Sequence, residues 1–256
     1  MIKLSDRLKA IADLINPGET VADIGTDHGF LPMSLWETGK SPLVILSDVN
    51  VGPLKKAETN IAKYFPGQSF DLRIGSGLQT LEHGEVDTVV IAGMGGILIS
   101  DILAEDINKT KSFKRYILQP RNAQKYLRAW LINNGFHITD EKLVREGKFI
   151  CEIISAVSNN QSAETGYLNQ LISKSDNENK EQCDMYLEIS PILFVKKDPL
   201  LVEFIENKIK IELNILKSLK SGVKSDKSHK IKLSEDRIKS LMKFLKRSLA
   251  NEYEYE

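Results

Sequence analysis

The chain is organised around residues 21–29, Val-Ala-Asp-Ile-Gly-Thr-Asp-His-Gly. The apolar run over 20–24 predicts a buried strand, and Gly25 ends it. A second glycine, Gly29, follows, and Pro32 lies where a helix can begin, because proline lacks only an N–H that the first turn does not use. A strand, a glycine loop and a helix in this order predict an open α/β sheet that binds a ligand beyond the carboxyl end of the strand.

The side chains of this loop indicate which kind of ligand it can hold. The loop lacks the dinucleotide fingerprint G-x-G-x-x-G, which seats a pyrophosphate on a helix N-terminus. It carries Thr26, Asp27 and His28 instead, and Asp23 lies inside the strand end. Carboxylates attract a cation rather than a diphosphate. S-adenosylmethionine has a sulfonium, an ammonium and a ribose but no phosphate, and it is the cofactor that we predict. The alternative is a solvated turn, since D-x-G-x-x-x-G alone is a weak motif.

The order of the apolar segments predicts the fold class. Apolar or alternating runs predict seven strands, at 20–24, 43–47, 70–74, 86–91, 116–118, 136–144 and 148–157. Helical patterns precede or separate the first six, at 4–15, 32–38, 52–64, 97–105 and 122–134, with Ser5 as an N-cap and Gly135 as a C-cap. Alternating strands and helices imply parallel pairing, and the hairpin signal at 145–147 adds a reversed strand. We expect an α/β, Rossmann-like, mostly parallel seven-stranded sheet with a terminal antiparallel strand.

Composition limits the classes of protein that are possible. The chain has 256 residues, 41% of them hydrophobic, which suits a normal core. It has no apolar run of about 20 residues and no apolar signal-peptide core near Met1. Cys151 and Cys183 lie far apart, and with four histidines and no C-x-x-C a structural zinc site is not expected. We therefore expect a cytoplasmic protein that needs no metal.

The polar ends of three further strands extend the predicted site. Asp48 follows the second strand, where it can accept hydrogen bonds from both hydroxyls of a ribose or, alternatively, cap the next helix. The loop 75–78, Gly-Ser-Gly-Leu, can close on an adenine ring or form a plain turn. The loop 92–96, Ala-Gly-Met-Gly-Gly, indicates close approach of a ligand, because helix packing explains one of its glycines more readily than three.

The C-terminal third has a different character. Residues 159–195 have a net charge of −4, whereas 196–247 carry 15 basic and 7 acidic residues, a net charge of +8. Two helical stripes are present, Leu201, Ile205, Ile209, Leu213 and Leu216, and then Ile238, Leu241, Leu245 and Leu249 with Ser234 as N-cap. They predict an antiparallel coiled-coil hairpin, whose charge suits a polyanion or only a solvated surface. We predict three regions: a cofactor-binding domain at 1–157, a polar linker at 158–184 and the helical domain at 185–256.

Seven motifs resemble the bacterial tRNA (adenine-22-N1)-methyltransferases, which use S-adenosylmethionine. They are L-S-x-R-L-x-x-I-A at 4–12, V-A-D-I-G-T-D-H-G-F-L-P at 21–32, S-D-V-N-x-G-P-L at 47–54, G-S-G-L at 75–78, I-A-G-M-G-G at 91–96, L-Q-P-R at 118–121 and E-G-K-F-I-C-E-I-I at 146–154. The family also has a helical C-terminal domain, which 185–250 resembles. The resemblance implies methyl transfer to N1 of an adenine in tRNA.

The resemblance also implies roles for individual residues. Asp23, Gly25 and His28 would lie by the methionine end of the cofactor, Asp48 by its ribose and Ser76-Gly77 by its adenine, with Ala92, Gly93 and Met94 by the methyl group and the target base. The full cofactor set that we predict is Asp23, Gly25, Thr26, His28, Gly29, Asp48, Val49, Gly75, Ser76, Gly77, Ala92, Gly93 and Met94. The predicted RNA contacts are Arg7, Gln119, Arg121, Lys208, Lys210, Lys243 and Arg247.

Two departures from the wider methyltransferase pattern indicate which atom of the adenine accepts the methyl group. Ser76 replaces the acid that often lies beside the adenine, and A-G-M-G replaces the N-P-P-Y of adenine amino-methyltransferases, which favours attack by a ring nitrogen. N1 has an in-plane lone pair, so its attack needs no general base, and Asp27 is a candidate to stabilise the cationic product or only to hold the loop. The alternatives are a nicotinamide-dependent oxidoreductase, which would share Asp48, and a non-catalytic RNA-binding protein.

Overall fold

The computed structural model describes residues 1–158, 180–221 and 228–250. The chain divides into two compact units, Met1–Lys174 and Ser175–Glu256, which are described separately below. Most of the predicted linker, part of the predicted joint at 221–230 and the tail at 251–256 lie outside the described residues. Within the described residues, no helix is both long enough and apolar enough to cross a membrane.

The first unit is built on a seven-stranded sheet. Its strands are β1 (Val21–Ile24), β2 (Val44–Asp48), β3 (Asp71–Ile74), β4 (Thr88–Met94), β5 (Arg115–Pro120), β6 (Phe136–Glu146) and β7 (Phe149–Ser158). Their order across the sheet is β3-β2-β1-β4-β5-β7-β6. The first five strands pair in parallel, and β7 is antiparallel to both of its neighbours, β5 and β6. The predicted mostly parallel sheet with one reversed strand is confirmed.

Five helices of this unit lie where the sequence predicted them, with small shifts at the ends, and a short helix at Ile107–Thr110 was not predicted. They are α1 (Asp6–Leu14), α2 (Phe30–Glu37), α3 (Val51–Tyr64), α4 (Gly96–Ala104), a short α5 (Ile107–Thr110) and α6 (Gln124–Asn133), with a 3₁₀ turn at Gly77–Thr80. Ser5 caps α1 by accepting from the N–H of Leu8 at 3.4 Å, as predicted. The second helix begins at Phe30 rather than Pro32, because Gly29, with φ of +71°, turns the chain into the helix two residues earlier.

The strand register brings the predicted site residues to one edge of the sheet. Ile24 pairs with Ser47 on one side and with Ile91 on the other, and Ile91 pairs with Leu118. The next residues along these strands therefore come level with one another, at the carboxyl ends of β1, β2, β4 and β5. All residues of β1 and β2 are buried, because helices cover both faces of the central sheet.

The second unit is helical in its described part. Its helices are α7 (Lys180–Glu188), α8 (Pro191–Val195), α9 (Leu201–Ser221) and α10 (Ser228–Ala250), and α9 packs along α10. Residues 180–184, which the sequence predicted as the end of a linker, lie in α7. This helix extends the helical unit toward the N-terminus.

Two details of the helical prediction were wrong. Ser234 does not cap α10, which begins six residues earlier; its hydroxyl donates to the buried Glu212 carboxylate at 2.7 Å. Leu213 and Leu249 are exposed, and Glu212 and Ser248 are buried in their place. Glu212 can be buried because the Ser234 hydroxyl bonds to it, and the Ser248 hydroxyl donates to the carbonyl oxygen of Leu245; a hydropathy pattern does not detect such bonds.

Candidate functional site

The first loop of the site is shaped by Gly25 at the end of β1. The N–H groups of Gly25 and Thr26 both donate to the carbonyl oxygen of Ser47, at 2.7 and 3.0 Å. Gly25 has a φ of +81°, and a Cβ atom there would overlap the Met94 side chain. The positive φ favours glycine here, and the flexible end of the Met94 side chain of β4 lies directly over the loop.

Asp23 and Asp48 form a pair of buried carboxyl groups at the ends of β1 and β2. Each is only 9% exposed. Burial raises the pKa of Asp23 from its usual 3.8 to about 6; the Thr26 hydroxyl and Arg7 oppose this rise, and the charge of Asp48 adds to it. A buried Asp23 carboxyl group on which the charge of Asp48 acts favours a positively charged ligand, since a bound cation would relieve both the desolvation and the repulsion.

Asp48 does not cap α3, the alternative that the sequence left open. Asn50 occupies the cap position, and one oxygen of the Asp48 carboxylate accepts from the N–H of Asn50 at 2.7 Å. This bond orients the carboxyl group and leaves its second oxygen for a ligand such as a ribose.

An apolar surface adjoins Asp48 on the outer side of the sheet edge. Val49 follows β2, Ile74 ends β3, and both side chains are exposed although they are hydrophobic. Asp48 pairs with Ile74 in the sheet, and the N–H of Gly75 donates to the carbonyl oxygen of Asp48 at 3.1 Å. Ser76 is exposed in the loop that follows. A flat apolar ring suits this surface, and Ile74, which the sequence analysis missed, belongs to it; its only sequence signal is an apolar residue directly before the glycine loop.

Two glycines of the predicted cofactor set have a packing role. A Cβ atom at Gly29 would lie 2.9 Å from Leu46 Cδ2 and 3.1 Å from Ala57 Cβ, so this glycine allows the loop to lie close to the sheet and to α3. Gly77 has a φ of +49°, and a Cβ atom there would lie 2.8 Å from Ile102 Cγ2. Both positions need glycine for reasons that are independent of a ligand.

The end of β4 is held in place by a chain of hydrogen bonds from α1. The Gly93 N–H donates to the Gln119 side-chain oxygen at 3.1 Å, and the Arg7 guanidinium donates to the same oxygen at 3.2 Å. Arg7 also donates to Glu146 at 2.9 Å, and Gln119 is buried. Arg7 and Gln119 were predicted to contact RNA. In the structure both side chains position the backbone of Gly93, and their contact with RNA stays a prediction.

The glycines around Met94 leave room for the loop between β5 and α6. A Cβ atom at Gly96 would collide with the backbone carbonyls of Asn122 and Ala123. Ala123 itself has a φ of +53°, which is uncommon for a residue other than glycine. A Cβ atom at Gly95 would lie 3.0 Å from the side-chain oxygen of Asn122. Gly95 and Gly96 are thus explained largely by close packing and Gly93 by its φ of +77°, and sequence reasoning did not identify Asn122 as the neighbour.

The predicted catalytic residue, Asp27, lies on the solvent side of the first loop. It is 63% exposed, and its carboxylate lies 3.2 Å from both Lys56 Nζ and His28 Nε2. The His28 ring stacks on Phe30 with centroids 5.5 Å apart. These contacts hold the loop from outside.

The predicted RNA contacts differ in their availability. An exposed basic set in the helical unit consists of Lys210, Lys243 and Arg247. Lys208 is not available in the same way, because its ammonium bonds to Glu188 at 2.6 Å and lies 4.8 Å from the centre of the Phe204 ring. In the first unit Arg121 is exposed, and its guanidinium would lie 3.7 Å from a Cβ atom at Gly93. The described residues contain no cluster of three or more metal-ligating side chains.

Comparison with known proteins agrees with this geometry. The sequence profile of the family described as "Methyltransferase domain" matches residues 4–154. The tRNA (adenine(22)-N(1))-methyltransferase of Bacillus subtilis is 33% identical over 162 residues, which are 63% of this chain and 68% of that protein. The crystal structure of the B. subtilis m1A22 tRNA methyltransferase TrmK has a TM-score of 0.79 at 26% identity, covering 96% of this chain and 100% of that one. A putative tRNA (m1A22) methyltransferase of Streptococcus pneumoniae, solved in complex with S-adenosyl-L-methionine, has a TM-score of 0.76 at 25% identity, covering 95% and 100%. The chain therefore belongs to the methyltransferase-domain family and, within it, to the TrmK-like bacterial tRNA (adenine-22-N1)-methyltransferases.

Proposed function

We propose that this protein transfers the methyl group of S-adenosylmethionine to N1 of adenine 22 in tRNA. The observation that carries the proposal is the buried pair of Asp23 and Asp48 at the ends of adjacent strands, beside a loop without a phosphate fingerprint. This pair suits a cationic ligand and disfavours the diphosphate of a nicotinamide cofactor, so the oxidoreductase alternative is set aside.

Different residues at the sheet edge contact different parts of the cofactor. Asp23 faces its cationic methionine end, the free oxygen of Asp48 accepts from its ribose, and the apolar surface of Val49 and Ile74 receives its adenine. When bound, S-adenosylmethionine supplies an electrophilic methyl carbon, so that the N1–C bond forms as the S–C bond breaks and the sulfonium positive charge passes to the adenine ring.

The chain contributes mainly position and the exclusion of water. The Gly93 backbone, held by Gln119 and Arg7, and the Met94 side chain over Gly25 fix the wall between cofactor and target base. No side chain has to remove a proton from N1, since its lone pair is already free. Asp27 is paired with Lys56, which supports a loop-holding role over direct stabilisation of the product.

Transfer RNA would be held largely through its phosphates. The exposed basic set of the helical unit, together with Arg121, supplies cations that are accessible to a polyanion. Such contacts fix the RNA by charge and shape, while the loops of the first unit select the target base.

The test is methyl transfer to two transcripts that differ at one base. Purified protein is incubated with methyl-labelled S-adenosylmethionine and a tRNA transcript that has adenine at position 22, or the same transcript with guanine there. Label should enter the first transcript only, and reverse transcription should stop at position 22, because a methyl group on N1 blocks Watson–Crick pairing. Equal labelling of both transcripts would refute the target assignment.

A further inference from the structure

The hairpin between β6 and β7 ends in an exposed aromatic side chain. Gly147, with φ of +59°, makes the tight turn, and Glu146 pairs with Phe149 across it. The Phe149 side chain is 64% exposed, and Lys148 Nζ lies 5.3 Å from the centre of its ring. Because so little of the ring is buried, its contribution to the stability of the fold is small.

This hairpin tip lies at the same edge of the sheet as the site. Leu118 near the end of β5 pairs with Ile154, and Arg115 at its start pairs with Val157. Since β7 runs antiparallel to β5, its first residue, Phe149, lies toward the carboxyl end of β5. The tip thus extends past the carboxyl ends of the strands, at the edge of the sheet where the proposed cofactor and target base lie.

The hairpin tip is also connected by hydrogen bonds to Gly93, which the proposed function places beside the methyl group. Glu146, the cross-strand partner of Phe149, accepts from Arg7, which donates to Gln119, which in turn accepts from the N–H of Gly93. Three hydrogen bonds therefore connect Glu146, the strand partner of Phe149, to the backbone of Gly93. The hairpin backbone that carries Phe149 is therefore fixed relative to β4, while the ring itself stays exposed to a ligand.

We propose that Phe149 stacks on an unpaired base of the tRNA next to adenine 22, with Lys148 beside it on the phosphate backbone. The inference rests on the proposed function, because it concerns how the same target base is presented. N1 lies on the Watson–Crick edge, so the adenine has to be unpaired before it can react. An exposed aromatic ring with an adjacent cation is the chemistry that binds unstacked bases. Phe149 keeps the RNA open on the side from which adenine 22 enters.

The test compares three variants in steady-state methylation of the tRNA transcript. Phe149→Ala should lower kcat/KM for tRNA by about 5- to 100-fold, as expected for the loss of one stacked base. Phe149→Trp, which retains a stacking surface, should stay within about threefold of wild type. Tyr64→Ala is the matched control, since Tyr64 is also exposed, has Lys63 at 5.3 Å from its ring and ends α3, away from the site. It should leave kcat/KM unchanged.

Two further measurements make the result decisive. The affinity for S-adenosylmethionine and the melting temperature of Phe149→Ala should equal those of wild type, so that a loss of activity cannot come from misfolding. Unchanged kcat/KM in Phe149→Ala, or an equal loss in Phe149→Trp, would overturn the stacking proposal while leaving the proposed function intact. A wild-type protein that methylates no tRNA would instead refute the proposed function itself.

Discussion

Replacing Asp23 with asparagine should stabilise the cofactor-free protein while it weakens the binding of S-adenosylmethionine. The pKa of the Asp23 carboxyl group is raised by burial from 3.8 to about 6, so the fold disfavours its charged form. At neutral pH this rise corresponds to a cost of up to about 3 kcal/mol in the free energy of unfolding, at about 1.4 kcal/mol per pH unit. Asparagine has nearly the same shape and no charge, and it removes this cost.

Because the pKa of Asp23 is raised in the folded protein, the stability difference between Asp23→Asn and wild type depends on pH in a defined direction. Below pH 3.8 the carboxyl group is protonated in both the folded and the unfolded protein, so Asp23→Asn should match wild type. Between pH 3.8 and about 6 the unfolded state ionises first, and wild type loses stability relative to the variant. Above about pH 6 the full difference should remain. For a unit of this size it corresponds to an increase of roughly 5 °C or more in melting temperature.

The assay is urea unfolding and thermal melting of wild type and variant from pH 3.5 to 8 without cofactor. Asp101→Asn, a change at an exposed carboxyl group on α4, is the control and should show no pH-dependent difference. Calorimetric titration at pH 7.5 should show that Asp23→Asn binds S-adenosylmethionine about 10- to 100-fold more weakly, since a hydrogen bond or ion pair to a charged group is lost. A stability difference that is the same at every pH, or unchanged cofactor affinity, would refute the buried-carboxylate reasoning.

Three further changes test the loops and the helical unit. Gly25→Ala should reduce S-adenosylmethionine affinity at least about tenfold, because it combines left-handed strain with a collision with Met94. The control is Gly18→Ala, where φ is a similar +87° but the space around the residue is open. This variant should cost about 1–2 kcal/mol of stability and leave cofactor binding unchanged in calorimetry. Gln119→Leu removes the acceptor of the Gly93 N–H, so single-turnover methylation should slow about tenfold while cofactor affinity changes less than about twofold; equal losses in both would indicate a folding defect. Alanine at all three positions of the exposed basic set should weaken tRNA binding and reduce the salt dependence of its binding constant by up to about three ions, whereas Lys208→Ala should instead lower the melting temperature of the helical unit.

The backbone of the site could be predicted from the sequence because its signals are local. A buried run followed by glycine, as at Gly25, specifies a strand end and a turn within a few residues. An acid such as Asp48 about twenty residues later implies a second strand end beside the first, since the parallel α/β order leaves few other arrangements. The family resemblance was carried by these same short motifs, and the comparisons confirmed it.

The roles of individual side chains depended on partners that are distant in sequence. Arg7 bonds to Glu146, which is 139 residues away, and no pattern around either residue indicates the pair; its contact with RNA stays a prediction. Lys208 resembled the other basic residues of its helix until its bond to Glu188 was located. For the same reason Ser234 was taken for a helix cap, although its partner is Glu212 on the neighbouring helix.

The sequence alone therefore determined the order of strands and helices, the glycine turns and the carboxyl groups at the strand ends, because each of these follows from hydrogen bonding and burial within a short segment. Only the tertiary structure decided that Asp23 is poorly solvated and feels the charge of Asp48, that Gln119 holds Gly93, and that Phe149 is exposed at the tip of the terminal hairpin. The physical reason is that solvation, charge pairing and close packing depend on which segments the sheet brings together. A single sequence does not record those distances.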